Sequence, residues 1–432
     1  MPAFMLPFAV LLSALTAATP TVIVDIDVND EVHGRPEPMT EADVDALVGS
    51  LHESGAEVLL VRMGFLGVLP FRTSLSYPLE FDEDHARLHQ CAAVGDIEAY
   101  IAVRKEAMAR YRSFIESCNP PEAFIAAAHK RGMKALIWID IYDNFYPGYR
   151  SKFLEEHPHC VWTARDGTLR FPGLISYAFP EARAFCLAQA KELLALGADG
   201  IHCSTSAHCR HMPNSHKTDF YGYEQPVVEA FQARYGVNIR TAGDFDKEAW
   251  HDIKGEFVVQ LYRELAELCH AQGKELWLGL QLGRYTQFTV DPHFSTHNVA
   301  RYSNHWKTLV DEGIVDAFVL GDYEIASNPG HACWTVKPDI QLAEGQDLFQ
   351  WAAAHYREYC AGRTELYLFS EWLPAGPEAL ESRMNDWASR VLENGFDGID
   401  VHEAWNFESP PESMAVLKQF AERLAGQSPS RE

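Results

Sequence analysis

The sequence predicts a single (β/α)8 TIM barrel of the α/β class, and three observations support this prediction. Eight short apolar runs rich in strand-forming residues recur along the 432 residues. A helical pattern follows each run except the last, which is typical of parallel strands joined by crossover helices. The chain is also long enough, because a minimal barrel needs roughly 250 residues and barrels with insertions exceed 400.

The predicted strands and helices alternate from residue 21 onward. The strands are residues 21–28, 57–63, 134–140, 200–204, 275–281, 316–321, 365–370 and 398–402. The helices between them are residues 41–53, 121–131, 180–196, 249–272, 300–312, 346–359 and 377–393. Glycine is typical of the position where a chain leaves a helix. The glycines that stop five of these helices are Gly132, Gly197, Gly273, Gly313 and Gly395.

The connections predict where function and processing lie. The longest ones follow the second, third and fourth strands, at residues 64–120, 141–180 and 204–248, and loops at this end of a barrel carry function. Residues 1–18 form an apolar run ending in small residues and predict a signal peptide, although no Lys or Arg precedes the run. The barrel domain then spans 19–425, and 426–432 is a predicted disordered tail.

Charge and composition exclude several classes of partner. The formal net charge is −25 with no compensating basic cluster, which disfavours nucleic acid and anionic lipid surfaces. No segment is apolar over the length that a membrane span needs. The nine cysteines are an odd number and favour reduced thiols, which argues against an oxidising compartment. The predicted signal peptide points the other way, so we expect export to the periplasm or the exterior while the cytoplasm stays open. The oligomeric state stays open as well.

Polar side chains stand at the end of nearly every predicted strand, where an apolar barrel interior has no use for them. The candidates on the first four strands are Asp25, Asp27, Arg62, Asp140 and His202. The candidates on and after the last four strands are Gln281, Arg284, Asp322, Glu324, Glu371, Trp372, Asp400, His402, Glu403 and Trp405. An ion-pair network in which Asp25 or Asp27 holds Arg62 is the structural alternative. A whole ring of such groups around one mouth instead predicts a ligand site.

Three stretches resemble the glycosyl-hydrolase-like 10 family of hypothetical glycoside hydrolase barrels. They are AHKRGMKALIWIDIYDNF at 128–145, PEARAFCLAQAKELLALGADGIHCS at 180–204, and the segment 231–283 with FQARYGVNIR and a Trp-containing helix. The resemblance implies a barrel that acts on sugars. It also reveals a departure, because the family's fourth strand ends in Asp where this chain has Ser204.

Cleavage of a glycosidic bond normally needs two carboxyl groups, one acidic and one acting as nucleophile or base. Because the fourth strand offers Ser204, we look to the last three strands. Glu371 is the first choice as nucleophile or base, Asp322 or Glu324 as acid, and Glu403 as the reserve. The other candidates are expected to bind substrate. Trp372 and Trp405 would stack on sugar rings, and Arg62 and Arg284 would suit a sugar carboxylate or sulfate.

Two alternatives stay open at this point. A barrel without its acid or nucleophile would bind a carbohydrate without cleaving it, and Ser204 motivates this reading. A metal-dependent hydrolase or lyase is suggested by the histidines and cysteines of residues 201–217 and by the acidic first strand. Their spacing fits no standard zinc module, so no metal is predicted. No Gly-rich phosphate loop, serine nucleophile elbow or HExxH motif indicates a cofactor.

Overall fold

The computed structural model describes residues 19–90, 94–205, 217–289, 298–321, 334, 336–370, 373–374, 376–408 and 410–426. Its strands, in chain order, are β1 (Thr21–Asp27), β2 (Val58–Arg62), β3 (Lys134–Asp140), β4 (Val161–Thr163), β5 (Arg170–Ile175), β6 (Gly200–Ser204), β7 (Glu275–Leu280), β8 (Tyr285–Thr289), β9 (Asn298–Ser303), β10 (Ala317–Leu320), β11 (Glu365–Phe369) and β12 (Gly398–Val401). Eight of them, in the ring order β1-β2-β3-β6-β7-β10-β11-β12, are parallel and close into a barrel. The predicted (β/α)8 barrel is therefore confirmed.

Helices follow the barrel strands and pack outside them. They are α1 (Val28–Gly34), α2 (Glu41–Glu53), α3 (Glu83–Leu88), α4 (Ile97–Ser117), α5 (Pro120–His129), α6 (Lys152–Glu156), α7 (Pro180–Ala195), α8 (Gln225–Tyr235), α9 (Lys247–His270), α10 (Trp306–Asp311), α11 (Leu348–Ala352), α12 (Glu358–Cys360), α13 (Pro377–Asn394), α14 (Trp405–Glu408) and α15 (Glu412–Gly426). A π-helical turn, Ala353–Arg357, joins α11 to α12. Within the described ranges, no helix has the length and apolar character that crossing a bilayer requires.

The eight predicted strands agree with the barrel strands to within two residues at each end. The five glycines predicted to stop helices all have φ between 64° and 105°, a left-handed conformation that glycine adopts without strain. The prediction of a helix over 300–312 is wrong in its first half. Residues Asn298–Ser303 form β9 and pair antiparallel with β8, and α10 begins only at Trp306. The pairing buries Val299, Ala300 and Tyr302, and this tertiary contact outweighs helix propensity.

The long connections form the rim around the carboxyl ends of the barrel strands, which we call the upper end. The loop after β2 carries α3 and α4, and the loop after β3 carries α6 and the antiparallel pair β4–β5. The loop after β6 carries α8, and the β8–β9 hairpin follows β7. Residues 1–18 and 427–432, which hold the predicted signal peptide and nearly all of the predicted tail, lie outside the described residues.

Candidate active site

Arg62 stands at the end of β2 and is buried among three carboxylates. The barrel register places it beside Asp27 at the end of β1 and beside Trp138 of β3. Its guanidinium forms ion pairs with Asp27, with Asp140, and with Asp143 at 2.7 Å. It also lies 5.1 Å from the centre of the Trp138 ring. The predicted structural alternative, an ion-pair network around Arg62, is thus present in this sector of the upper end.

A second buried contact ties β12 to β1. The His402 Nδ1 atom lies 2.8 Å from the Asp25 Oδ2 atom, and both side chains are only 1% exposed. The backbone N–H of His402 donates to the Ser370 hydroxyl at 2.8 Å. The backbone carbonyl of Asp400, also buried, accepts from the Ser370 N–H at 2.8 Å. The ends of β11, β12 and β1 are therefore held together where the barrel closes.

Glu403 follows His402 and lies among other acids. One donor atom from each of Asp25, His402 and Glu403 lies within 4.8 Å of the others, and the same holds for Asp27, Asp30 and Glu403. We call these five residues the Glu403 cluster. Glu403 is 2% exposed, and within the described ranges no group donates a hydrogen bond to its carboxyl. Its charged form therefore has little to stabilise it.

The physical consequence is a carboxyl group that keeps its proton. Burial raises the pKa of Glu403 to about 9. His402 opposes this shift, while the negative charges of Asp27, Asp30 and Asp25 add to it. At neutral pH, Glu403 is therefore a neutral acid beside carboxylates. Pairs of carboxyl groups whose environments separate their pKa values are typical of acid/base catalysis.

The start of α1 brings Asp30 into the cluster. Asp27 ends β1 and caps α1 by accepting the Asn29 N–H at 2.8 Å, so the helix begins directly at the strand end. Asp30 follows in the first turn, where a negative charge is favoured by the helix dipole. Its side chain is partly exposed, in contrast to the buried Asp25, Asp27 and Glu403.

His202 and Trp405 occupy other positions around the mouth. His202 lies on β6, three strands from β1 in the ring, and burial lowers the pKa of its imidazole to about 3. Its Nδ1 atom is buried and makes no hydrogen bond to the described residues. Trp405, partly buried, packs its ring on Gly34, where an added Cβ would lie 2.3 Å from the ring. Ser204, which replaces the expected Asp, is fully buried at the end of β6.

Gln281 and Arg284 hold the β8–β9 hairpin through their polar atoms. The Gln281 Oε1 atom accepts the Gln287 N–H at 2.9 Å. The guanidinium of Arg284 lies 3.0 Å from carboxylate oxygens of both Glu248 and Asp252, and its side chain is 48% exposed. Both residues lie at the upper end, but Arg284 is already paired with two acids.

Four predicted site residues lie outside the described residues, namely Asp322, Glu324, Glu371 and Trp372. Their predicted roles stay predictions. The same holds for most of the cluster of histidines and cysteines at 201–217, because residues 206–216 are not described. Sequence reasoning did not select Asp30. Its signal was the run DIDVND, where an acid follows the strand-ending, helix-capping Asp27 by three residues.

No family model matches the chain, and no curated protein matches it in sequence. Solved structures do. The catalytic domain of β-amylase from Paenibacillus polymyxa matches with a TM-score of 0.51 at 10% identity, covering 94% of this chain and 98% of that one. The chain shares the fold of that domain.

Two further matches are weaker in structure. The glycoside hydrolase domain of PgaB (BpsB) from Bordetella bronchiseptica has a TM-score of 0.47 at 13% identity, covering 92% and 98% of the two chains. The β-galactosidase from Halorubrum lacusprofundi has a TM-score of 0.49 at 13% identity, covering 94% of this chain and 58% of that one. These neighbours are glycoside hydrolases, and what they show of this chain is the barrel fold alone. At these identities the likeness is one of fold and transfers no site residue.

Proposed function

We propose that the protein is a glycoside hydrolase that cleaves a poly- or oligosaccharide at the upper end of the barrel, with Glu403 as the proton donor. The observation that carries this proposal is the buried Glu403 carboxyl, whose pKa burial raises to about 9 and which lies within 4.8 Å of carboxyl oxygens of Asp27 and Asp30. A leaving sugar oxygen needs a proton at neutral pH, and a carboxyl group with a raised pKa supplies it.

Asp30 is the better of the two neighbouring acids for the second role. Both oxygens of Asp27 are engaged, one with the Asn29 N–H and one with Arg62. Asp30 keeps part of its side chain exposed, as an acid that meets substrate must. We therefore assign Asp30 as nucleophile or base and Asp27 as a positioning residue. The short oxygen separations favour retention, because inverting pairs stand roughly 6.5–9.5 Å apart to admit water.

The test compares Glu403→Gln with wild type on two kinds of substrate. Glutamine cannot donate the proton, so kcat/KM on a glycan should fall about 100- to 10,000-fold. The leaving group of a dinitrophenyl glycoside needs no proton, so kcat/KM of the variant on that substrate should fall much less. Asp30→Asn should lose activity on both substrates, and added azide should partly restore it. Separately, NMR of the anomer that forms first reports whether the wild-type reaction retains configuration.

A matched control is Glu224→Gln. Glu224 is also buried, burial raises its pKa to about 7, and it accepts the Thr163 N–H at 2.6 Å, which glutamine can still do. It lies outside the Glu403 cluster, so its variant should keep wild-type activity. Full activity of Glu403→Gln on a glycan would remove Glu403 from the mechanism. Sugar binding with no product from any glycan would favour the non-catalytic barrel.

A second candidate function has one observation in its favour. The donor atoms of the Glu403 cluster, carboxylate oxygens with one imidazole nitrogen, lie close enough to hold a divalent cation. The protein would then be a metal-dependent hydrolase or lyase. Activity that survives chelation, with metal content well below one ion per chain, would exclude this candidate. Activity that is lost and then restored by one divalent cation would favour it.

A further inference from the structure

Arg104 lies on α4, in the long connection that follows β2, and its side chain is partly buried. Its Nη1 atom lies 2.7 Å from Nε2 of His33 on α1. The other ring nitrogen of His33, Nδ1, lies 2.7 Å from the backbone carbonyl oxygen of Asn29. A carbonyl only accepts, so Nδ1 carries the proton and Nε2 accepts from Arg104.

His33 stays neutral under this arrangement. Burial lowers the pKa of His33 to about 4, and the charge of Arg104 adds to the shift. The imidazole thus orients the guanidinium without compensating its charge. Because α1 follows β1 directly, His33 fixes Arg104 against the rim above the first strands of the barrel.

Aromatic rings surround the rest of the guanidinium. Its central carbon lies 5.5 Å from the centre of the Tyr100 ring. Burial raises the pKa of Tyr149, and the positive charge of the neighbouring Arg104 opposes that shift. The Tyr149 hydroxyl is buried against Arg104 and interacts with its guanidinium. His33 and the rings hold the cation in place, and a guanidinium has five N–H donors, which is more than the contacts with His33 and Tyr149 use.

No carboxylate of the described residues lies within 4.0 Å of Arg104. Other arginines without a carboxylate partner, such as Arg165, Arg240 and Arg357, donate to backbone carbonyls instead. Arg62 has three carboxylate partners at the same end of the barrel, and Arg284 has two. A partly desolvated guanidinium without a counter-ion is unfavourable in the free protein, and an anionic ligand would relieve that cost.

We propose that Arg104 binds an anionic group, a carboxylate or a sulfate, on the glycan. Asp30 and His33 are three residues apart on α1 and so share one face of that helix. A sugar placed at Asp30 would therefore have a neighbouring group within reach of Arg104. Planar guanidinium groups bind carboxylate and sulfate oxygens through paired hydrogen bonds. The identity of the ligand as a glycan rests on the proposed function, whereas the anion site itself does not.

The test measures binding in the Glu403→Gln background, so that it does not depend on turnover. Calorimetry would compare uronate-containing oligosaccharides with the same oligosaccharides after carboxyl reduction, and sulfated oligosaccharides with their desulfated forms. We expect one anionic member to bind about 10- to 100-fold more tightly than its neutral counterpart, as a charged hydrogen-bonded contact provides. Whichever pair shows the preference identifies the group.

Arg104→Met should abolish that preference, and Arg104→Lys should keep part of it. Arg110→Met is the matched control. Arg110 lies on the same helix, pairs with Glu106 at 3.0 Å and donates to the Val32 carbonyl, so its variant should leave the preference intact. Equal binding of anionic and neutral glycans, or a preference that survives Arg104→Met, would overturn the proposal. Anion-dependent binding through Arg104 without hydrolysis by wild type would instead refute the proposed function alone.

Discussion

Carboxylates occupy both ends of the barrel, but their partners differ. At the lower end, where the strands begin, an aspartate precedes each of three strands, and its side chain accepts a backbone N–H from the preceding strand in the ring. The three pairs are Asp199 with Ala135 at 3.0 Å, Asp316 with Leu276 at 2.7 Å, and Asp397 with Leu366 at 2.8 Å. Their backbone carbonyls accept from the next strand, so each aspartate joins two neighbours.

The partner decides the protonation state of each acid. Partial burial would raise the pKa of Asp199, but the Ala135 N–H and the His129 imidazole outweigh it, so the pKa is lowered. Glu403 at the upper end has acids as neighbours and no described donor, so its pKa is raised. Asp199 is therefore charged and structural, and Glu403 is neutral and available for chemistry. Whether an N–H donor faces a carboxyl group at a strand end therefore indicates whether that group is charged or protonated.

The largest effect should follow from removing the guanidinium that pairs with three buried carboxylates at the upper end. Arg62→Met would remove a shared counter-charge of the buried Asp27, Asp140 and Asp143, and we expect a loss of about 3–5 kcal/mol in the free energy of unfolding. Urea denaturation measures it. Arg263→Met, which removes an exposed pair with Glu312, should lose less than about 1 kcal/mol. Similar losses in the two variants would contradict the idea that Arg62 compensates this buried charge.

An effect of intermediate size tests the raised pKa of Glu403 without reference to activity. Below about pH 4.5 the residue is protonated in both the folded and the unfolded state. Between pH 4.5 and about 9 only the unfolded state releases the proton, so Glu403 destabilises the fold increasingly as pH rises. Glu403→Gln should remove this destabilisation, so the variant should be more stable than wild type by roughly 3 kcal/mol at pH 7. Denaturation at several pH values measures the difference.

The lower end should show the opposite sign. Asp199 has a lowered pKa, so its contribution to stability is present above the unfolded pKa and disappears as pH falls. Asp199→Asn should therefore be less stable than wild type near neutral pH and should converge with it in acid. Glu422→Gln, on the exposed surface, controls for the loss of one negative charge. For the upper end, stability profiles of Glu403→Gln and wild type that run parallel with pH would show that Glu403 is ionised in the folded state.

The sequence predicted the barrel well because each strand is a local pattern of strand-forming residues. It also selected Asp25, Asp27 and His402, which the fold brings together. The environment of Glu403 could not be read from the sequence, since Asp25 and His402 meet across 377 residues where the ring closes. Arg104 was missed for a related reason. Its helix was not predicted, and its partner His33 lies 71 residues earlier in the chain.

The smallest effect should come from a single aspartate of the lower end. Asp316→Ala removes the acceptor of the buried Leu276 N–H, and because Asp316 is 40% exposed, water can replace part of that bond. We expect a loss of about 1 kcal/mol, with faster hydrogen exchange at the Leu276 amide. Asp316→Asn keeps an oxygen acceptor, so its free energy of unfolding should fall by only a few tenths of a kcal/mol. Activity should be unchanged in both variants, since Asp316 precedes its strand at the end opposite Glu403. Equal losses for Asn and Ala would mean that the carboxylate facing His270, which both variants remove, and not the acceptor of the strand N–H, gives Asp316 its role.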